Sequence, residues 1–120
     1  MSKMITIEGE VIHGAKLGRR MGFPTANMEV GDVAVENGVY LSSVTVDGRE
    51  WKAMSNVGVR PSVDGRCRLL ETHIFDFEGD LYGRRLQVRL VRKIRDERRF
   101  ASVDELRHQL ECDFEQIRQL

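Results

Sequence analysis

The sequence predicts a mainly β domain, an antiparallel barrel of five or six strands with one C-terminal α-helix. Three observations carry this. Apolar side chains alternate with a period of two through most of the chain up to Ile94; turn-forming stretches such as Asp47-Gly48 and Glu78-Gly79-Asp80 separate the alternating runs; and beyond Ser102 the apolar period changes to three and four. Strands joined by short turns leave unpaired edges unless the sheet closes on itself, so a barrel is the expected arrangement.

The elements follow in order. From Met4 to Ile12, residues Ile5, Ile7, Gly9 and Val11 share one face and Thr6, Glu8 and Glu10 the other, the pattern of a half-buried strand. Gly14 to Pro24 holds three glycines with Lys16, Arg19 and Arg20 between them, and reads as a basic, glycine-rich flap. Gly38 opens a run from Val39 to Val46, and Asp47-Gly48 turns it into Glu50 to Val57 as a hairpin. Arg60-Pro61-Ser62-Val63-Asp64-Gly65 reads as a loop, because proline removes a ladder donor and Asp-Gly favours a turn. Two more strands are expected, Arg68 to Phe77 and Arg85 to Ile94, the latter with Leu86, Val88, Leu90, Arg92 and Ile94 on one face. Val103, Leu106, Leu110, Phe114 and Ile117 then form a helical stripe expected to pack in the core, with Ser102 and Glu105 as a capping box.

At 120 residues the chain is expected to be one domain, residues 1–120, with one core. Its 19 basic and 19 acidic residues cancel, so any anion binding must be local, and nucleic acid and membrane surfaces are not expected partners. Cys67 and Cys112 fall in no metal-binding or redox spacing, and the N-terminus lacks a secretion signal, which points to the reducing cytoplasm. No apolar run reaches the roughly 18 residues of a membrane span.

The stretch with the most chemistry is Gly22-Phe23-Pro24-Thr25-Ala26-Asn27. In an extended backbone Thr25 and Asn27 present a hydroxyl and an amide oxygen from one face, hard oxygen ligands suited to a Mg²⁺-nucleotide site beside a basic loop. The same residues also suit a turn set by Pro24, in which they satisfy local amides. Physics alone leaves both readings open.

GFPTAN after a glycine-and-arginine loop resembles the riboflavin kinase family of bacteria and eukaryotes. The likeness continues through Gly38-Val39-Tyr40, Asn56-Val57-Gly58-Val59-Arg60-Pro61, Glu71-Thr72-His73-Ile74, Asp80-Leu81-Tyr82-Gly83 and Ile94-Arg95-Asp96-Glu97-Arg98-Arg99-Phe100, in the family's order. Ser62 stands where the family more usually has threonine. The resemblance implies a six-stranded antiparallel closed barrel of Greek-key type with a C-terminal helix. It also implies transfer of the ATP γ-phosphate to the 5′-hydroxyl of riboflavin, giving FMN and ADP, with Mg²⁺ (Zn²⁺ or Mn²⁺ as alternatives) and a monomeric enzyme.

By position, the resemblance makes Glu71 the catalytic base, and Thr25 and Asn27 the holders of metal and triphosphate. It puts Gly14 and Arg19 in the flap over the nucleotide, Ile74, Asp76 and Tyr82 at the nucleotide, and Arg95, Arg98 and Val103 at the flavin. These types suit phosphoryl transfer, which depends on alignment and charge neutralisation, with a carboxylate to accept the proton of a primary alcohol. Without the resemblance, Glu71 reads equally as half of a cross-strand ion pair with an arginine. His73 reads as a packing residue, and the run Arg92 to Arg99 as a solvated face or an anion patch. Many bacterial relatives also carry an N-terminal adenylyltransferase domain that this sequence lacks. The chain is therefore expected to be a monofunctional kinase, which the start MSKMITIEGE favours, or the kinase half of a bifunctional FAD synthetase. The competing classes are a non-catalytic flavin or nucleotide sensor on the same barrel and an oligonucleotide-binding barrel. Retention of Thr25, Asn27 and Glu71 argues against the first, and the 7% aromatic content against the second.

Overall fold

In the computed structural model, which describes residues 4–12, 25–31, 33–62 and 65–120 (for 61 and 62 the backbone alone), six strands form one antiparallel sheet. They are β1 (Ile5–Glu10), β2 (Ala26–Glu29), β3 (Gly38–Val46), β4 (Arg49–Ser62), β5 (Gly65–Ile74) and β6 (Arg85–Arg95), followed by helix α1 (Val103–Arg118). The spatial order is β1-β6-β3-β4-β5-β2, so β6 returns to lie between β1 and β3. The two edge strands meet where Ile12 N–H donates to the Asn27 carbonyl at 2.8 Å, which nearly closes the barrel. A sheet curled this far removes most of its exposed edge, the expectation drawn from the turn pattern.

Alternation sorts the strand residues between two cores. Ile7, Met28, Val44, Val57, Leu70 and Val88 fill the barrel. Also inside, the hydroxyls of Ser42, Ser55 and Thr72 form a chain at 2.7 and 2.8 Å, so three buried polar groups satisfy one another. A smaller core lies outside the barrel, where Val39, Met54 and Phe75 receive Ile117 of α1 together with Leu110 and Phe114. The rings of Phe75 and Phe114 approach to 4.3 Å between centroids. The helix starts as expected: Ser102 Oγ accepts from Glu105 N–H at 3.1 Å, and the Glu105 carboxylate accepts from Ala101 N–H at 3.0 Å. The β3–β4 turn also follows its sequence signal, with Asp47 and Gly48 at φ 51 and 80, a type I′ hairpin geometry.

The structure departs from the sequence expectations in four places. Residues 60 to 65 are mostly strand: β4 runs on to Ser62 and pairs with β5 from Gly65, so Arg60 is a ladder residue opposite Cys67. β5 stops at Ile74 instead of Phe77, because the chain turns at Phe75 and Asp76, the latter at φ 60. The register of β6 on β3 shifts between Leu41 and Ser42 and again between Val39 and Tyr40. Leu86, Val88 and Leu90 therefore face the barrel core, whereas Arg92 pairs with Leu41 and Ile94 packs under the helix. In α1 the stripe is completed by Asp113, which is buried, while Val103 is half exposed.

Candidate active site

The strand register brings the expected ligand residues and the expected acid together. Asn27 on β2 is the ladder partner of Glu71 on β5, and Glu71 in turn pairs with Asn56 on β4. The row continues to Val39 on β3 and Arg95 on β6. Residues paired across a sheet share a face, and their neighbours Met28, Leu70 and Val57 all point into the barrel. Asn27, Glu71 and Asn56 therefore lie on the outer face, the face on which α1 packs further along, over Val39 and Met54. Directly opposed residues have Cβ atoms about 4.5–5.5 Å apart, so the Asn27 amide and the Glu71 carboxylate work within one small volume.

Thr25, two residues before Asn27, sits on the same face, and its hydroxyl donates to Asn27 Oδ1 at 3.4 Å. An octahedral Mg²⁺ with bonds of 2.0–2.1 Å needs neighbouring oxygens about 2.9 Å apart, so this pair fits such an ion after a small closure. Asn27 is 5% exposed, which fixes its side chain against the sheet. Among the described residues no group of three or more His, Cys, Asp or Glu side chains is arranged around a common point. An ion here would complete its shell with water and phosphate oxygens.

Glu71 is not alone. Arg60 donates to its Oε1 from Nε at 2.9 Å and places Nη2 2.7 Å from the same oxygen as an ion pair, while Arg60 Nη1 lies 3.0 Å from Glu97 Oε1. The cross-strand ion pair that the sequence allowed for Glu71 is thus present, though the arginine reaches it diagonally, from four positions along β4. Burial acts to lower the pKa of the Arg60 guanidinium, but the attraction and hydrogen bonds of Glu71 and Glu97 outweigh it and hold the pKa above its ordinary value. Asn56, opposite Glu71 on the same face, carries a buried side-chain oxygen that has no hydrogen-bond partner among the described residues.

The whole chain, residues 1–120, matches the family model described as flavokinase, riboflavin kinase. The chain belongs to the riboflavin kinase family. It is 45% identical, over all of its length, to the bifunctional riboflavin kinase/FMN adenylyltransferase of Pseudomonas fluorescens, spanning 39% of that protein. Over 92% of its length it is 40% identical to the RNA-binding riboflavin kinase RibR of Bacillus subtilis, spanning 48% of it. Among solved structures, riboflavin kinase from Trypanosoma brucei superposes with a TM-score of 0.65 over 98% of this chain and 80% of that one, at 19% identity, a likeness of fold.

The other residues assigned through riboflavin kinase resemblance are spread around this row. Gly14 and Arg19 lie outside the described residues. Ile74 points into the barrel core, so an exchange with nucleotide at this position would run through its backbone. Asp76 occupies the turn after β5, and Tyr82 is 53% exposed in the turn where its N–H donates to Asp80 Oδ1 at 2.9 Å. Arg95 holds the helix: Nε and Nη2 reach Asp113 Oδ2 at 3.1 and 2.7 Å, and Gln109 Nε2 donates to Asp113 Oδ1 at 2.9 Å. Arg98 hydrogen bonds Gln109, so both arginines belong to one network with Gln109 and Asp113 in the middle of α1, while Val103 at its start is half exposed. His73 packs against Phe75 and Phe114, with ring centroids 5.5 and 5.1 Å away. Sequence reasoning missed Arg60, Glu97 and Asp113. The signal for Arg60 was its same-face spacing with Asn56, hidden by reading Pro61 as the start of a loop.

Proposed function

We propose that this chain is a riboflavin kinase that transfers the γ-phosphate of ATP to the 5′-hydroxyl of riboflavin, producing FMN and ADP. The observation that carries this is the pairing of Asn27 with Glu71 across β2 and β5, which sets an oxygen-ligand pair and a carboxylate side by side on one face. In this reading Thr25 and Asn27 hold Mg²⁺ on the nucleotide phosphates. When bound, the ion neutralises charge on the transferred group.

Glu71 accepts the proton of the acceptor hydroxyl as its oxygen bonds to phosphorus and the bond to ADP breaks. Phosphoryl transfer has a loose transition state, so the tasks of the Glu71 carboxylate are to aim the hydroxyl and to take a proton late. The flavin ring is directed towards the network of Arg95 and Arg98 with α1, near the half-exposed Val103 at the start of the helix.

The test is incubation with riboflavin and Mg²⁺-ATP followed by chromatographic separation of FMN. Glu71→Gln is expected to lower kcat by about 10²–10⁴-fold while nucleotide binding is retained. A Glu71→Gln enzyme with parental turnover would remove this residue from the chemistry, and no FMN from the parent with any triphosphate would favour a binding protein.

A further inference from the structure

Arg60 grips Glu71 in an unusual way. Arginine and carboxylate commonly pair fork to fork, one N–H on each oxygen. Here both Nε and Nη2 of Arg60 go to the same oxygen, Glu71 Oε1, and among the described residues Glu71 Oε2 receives no hydrogen bond. The remaining nitrogen, Nη1, goes to Glu97 Oε1 at 3.0 Å and to the Val59 carbonyl at 3.1 Å. One cation is therefore shared between two carboxylates, and the free edge of Glu71 is left for another donor.

The strand beneath is shaped for this arrangement. A Cβ on Gly58 would lie 2.1 Å from Glu97 Oε1 and 2.5 Å from Arg60 Nη1. Only a residue without a side chain lets the carboxylate–guanidinium–carboxylate unit lie flat on β4 between Asn56 and Arg60. The side chains are 30% exposed for Arg60, 20% for Glu71 and 29% for Glu97, so the unit is partly desolvated and its geometry is held more firmly than that of a surface pair.

We propose that Arg60, braced by Glu97 over Gly58, is a positioning residue for phosphoryl transfer, fixing the Glu71 carboxylate by Oε1 so that Oε2 faces the acceptor hydroxyl. This rests on the reading of Glu71 as the base. It differs from a role for Arg60 as a phosphate ligand, since its charge is shared between Glu71 and Glu97. Fixing an attacking group to within an ångström is worth up to about 10²-fold in rate, which sets the effect to look for.

The experiment is a cycle of kcat, KM and nucleotide affinity for Arg60→Ala, Arg60→Lys and Gly58→Ala in the parent and in Glu71→Gln. In the parent, Arg60→Ala is expected to lower kcat by about 10–100-fold with nucleotide Kd within about twofold, and Arg60→Lys to recover part of the loss. In the Glu71→Gln background the same Arg60 change should cost less than about threefold, because Arg60 acts through the carboxylate. Gly58→Ala displaces only side-chain ends, so its thermal midpoint should stay near the parent's while kcat falls, which keeps the test available if Arg60→Ala folds poorly.

Equal losses in both backgrounds, with Glu71→Gln itself impaired, would overturn the role of Arg60 and leave the base reading intact. A raised nucleotide Kd with unchanged kcat would make Arg60 a phosphate ligand instead. Parental turnover in Glu71→Gln would remove both.

Discussion

Replacing Asp113 with asparagine should loosen the helix from the barrel, by an amount that follows from the contacts. The Asp113 carboxylate is 2% exposed and receives bonds from Arg95 Nε and Nη2 and from Gln109 Nε2. Asparagine keeps the size but turns one acceptor into a donor facing the guanidinium, and leaves the Arg95 charge without its counter-ion. Removing one partner of a buried pair costs about 3–5 kcal/mol. Arg95 is 17% exposed and keeps a bond to the Asp96 carbonyl at 2.9 Å, so the lower end, about 3 kcal/mol, is expected. With a urea slope near 1.5 kcal/mol/M, the unfolding midpoint should fall by about 2 M with the slope unchanged. A loss below about 1 kcal/mol would refute the view that this pair anchors α1. A paired apolar replacement, Arg95→Met with Asp113→Leu, should recover most of the stability, because it removes both charges together.

Three further outcomes follow from the same structure. Thr25→Ala should weaken nucleotide binding in the presence of Mg²⁺ and leave the metal-free affinity nearly unchanged, as titration calorimetry with and without chelator would show; an affinity for Mg²⁺-ATP equal to the parent's would remove Thr25 from the metal site. Val103→Ser should raise the KM for riboflavin by roughly fourfold with little change in kcat, since about half of the ~1.5 kcal/mol of a buried valine is still available on this 50% exposed residue; an unchanged KM would place the flavin elsewhere. The hydrogen bond from Lys93 at 2.5 Å holds the Asp96 carboxyl below the usual carboxylate range, so its contribution is present above the ordinary aspartate pKa of about 3.9 and lost as pH falls below it. Asp96→Asn should therefore flatten the acid limb of the stability profile between about pH 5 and 3 and leave the alkaline side alone, and identical acid slopes would sink this assignment.

Much of the fold was legible because it depends on local signals. Asp47-Gly48 determines its own turn, and Ser102 with Glu105 determines the start of α1. The ends of β4 and β5 were not legible, because Pro61 and Asp64-Gly65 are breakers by themselves and only the ladder between Arg60 and Cys67 overrides them. The bulges in β6 were hidden for a similar reason. Leu86 to Ile94 alternates cleanly, and what moves Ile94 to the other face is the second core under the helix, a tertiary demand without a local trace. β2 is only four residues long, and its strand identity comes from pairing with β5 rather than from its own pattern. Within the proposed site, the family resemblance pointed to Thr25, Asn27 and Glu71, but spacing along a chain says nothing about which arginine reaches which acid. That depended on Gly58 leaving space across β4.

The reason this chemistry belongs on the outside of the barrel lies in the interior. Six strands enclose a space filled by apolar side chains, and the three hydroxyls there already satisfy one another. A carboxylate and a triphosphate could enter that space only at a desolvation cost of several kcal/mol each. On the outer face of β2, β5 and β4 the cost is smaller, because the Glu71 side chain there keeps 20% of its exposure and is paired with Arg60. The helix supplies the second core that stabilises the curved sheet, and beside that core the polar row runs from Asn27 through Glu71 to Asn56.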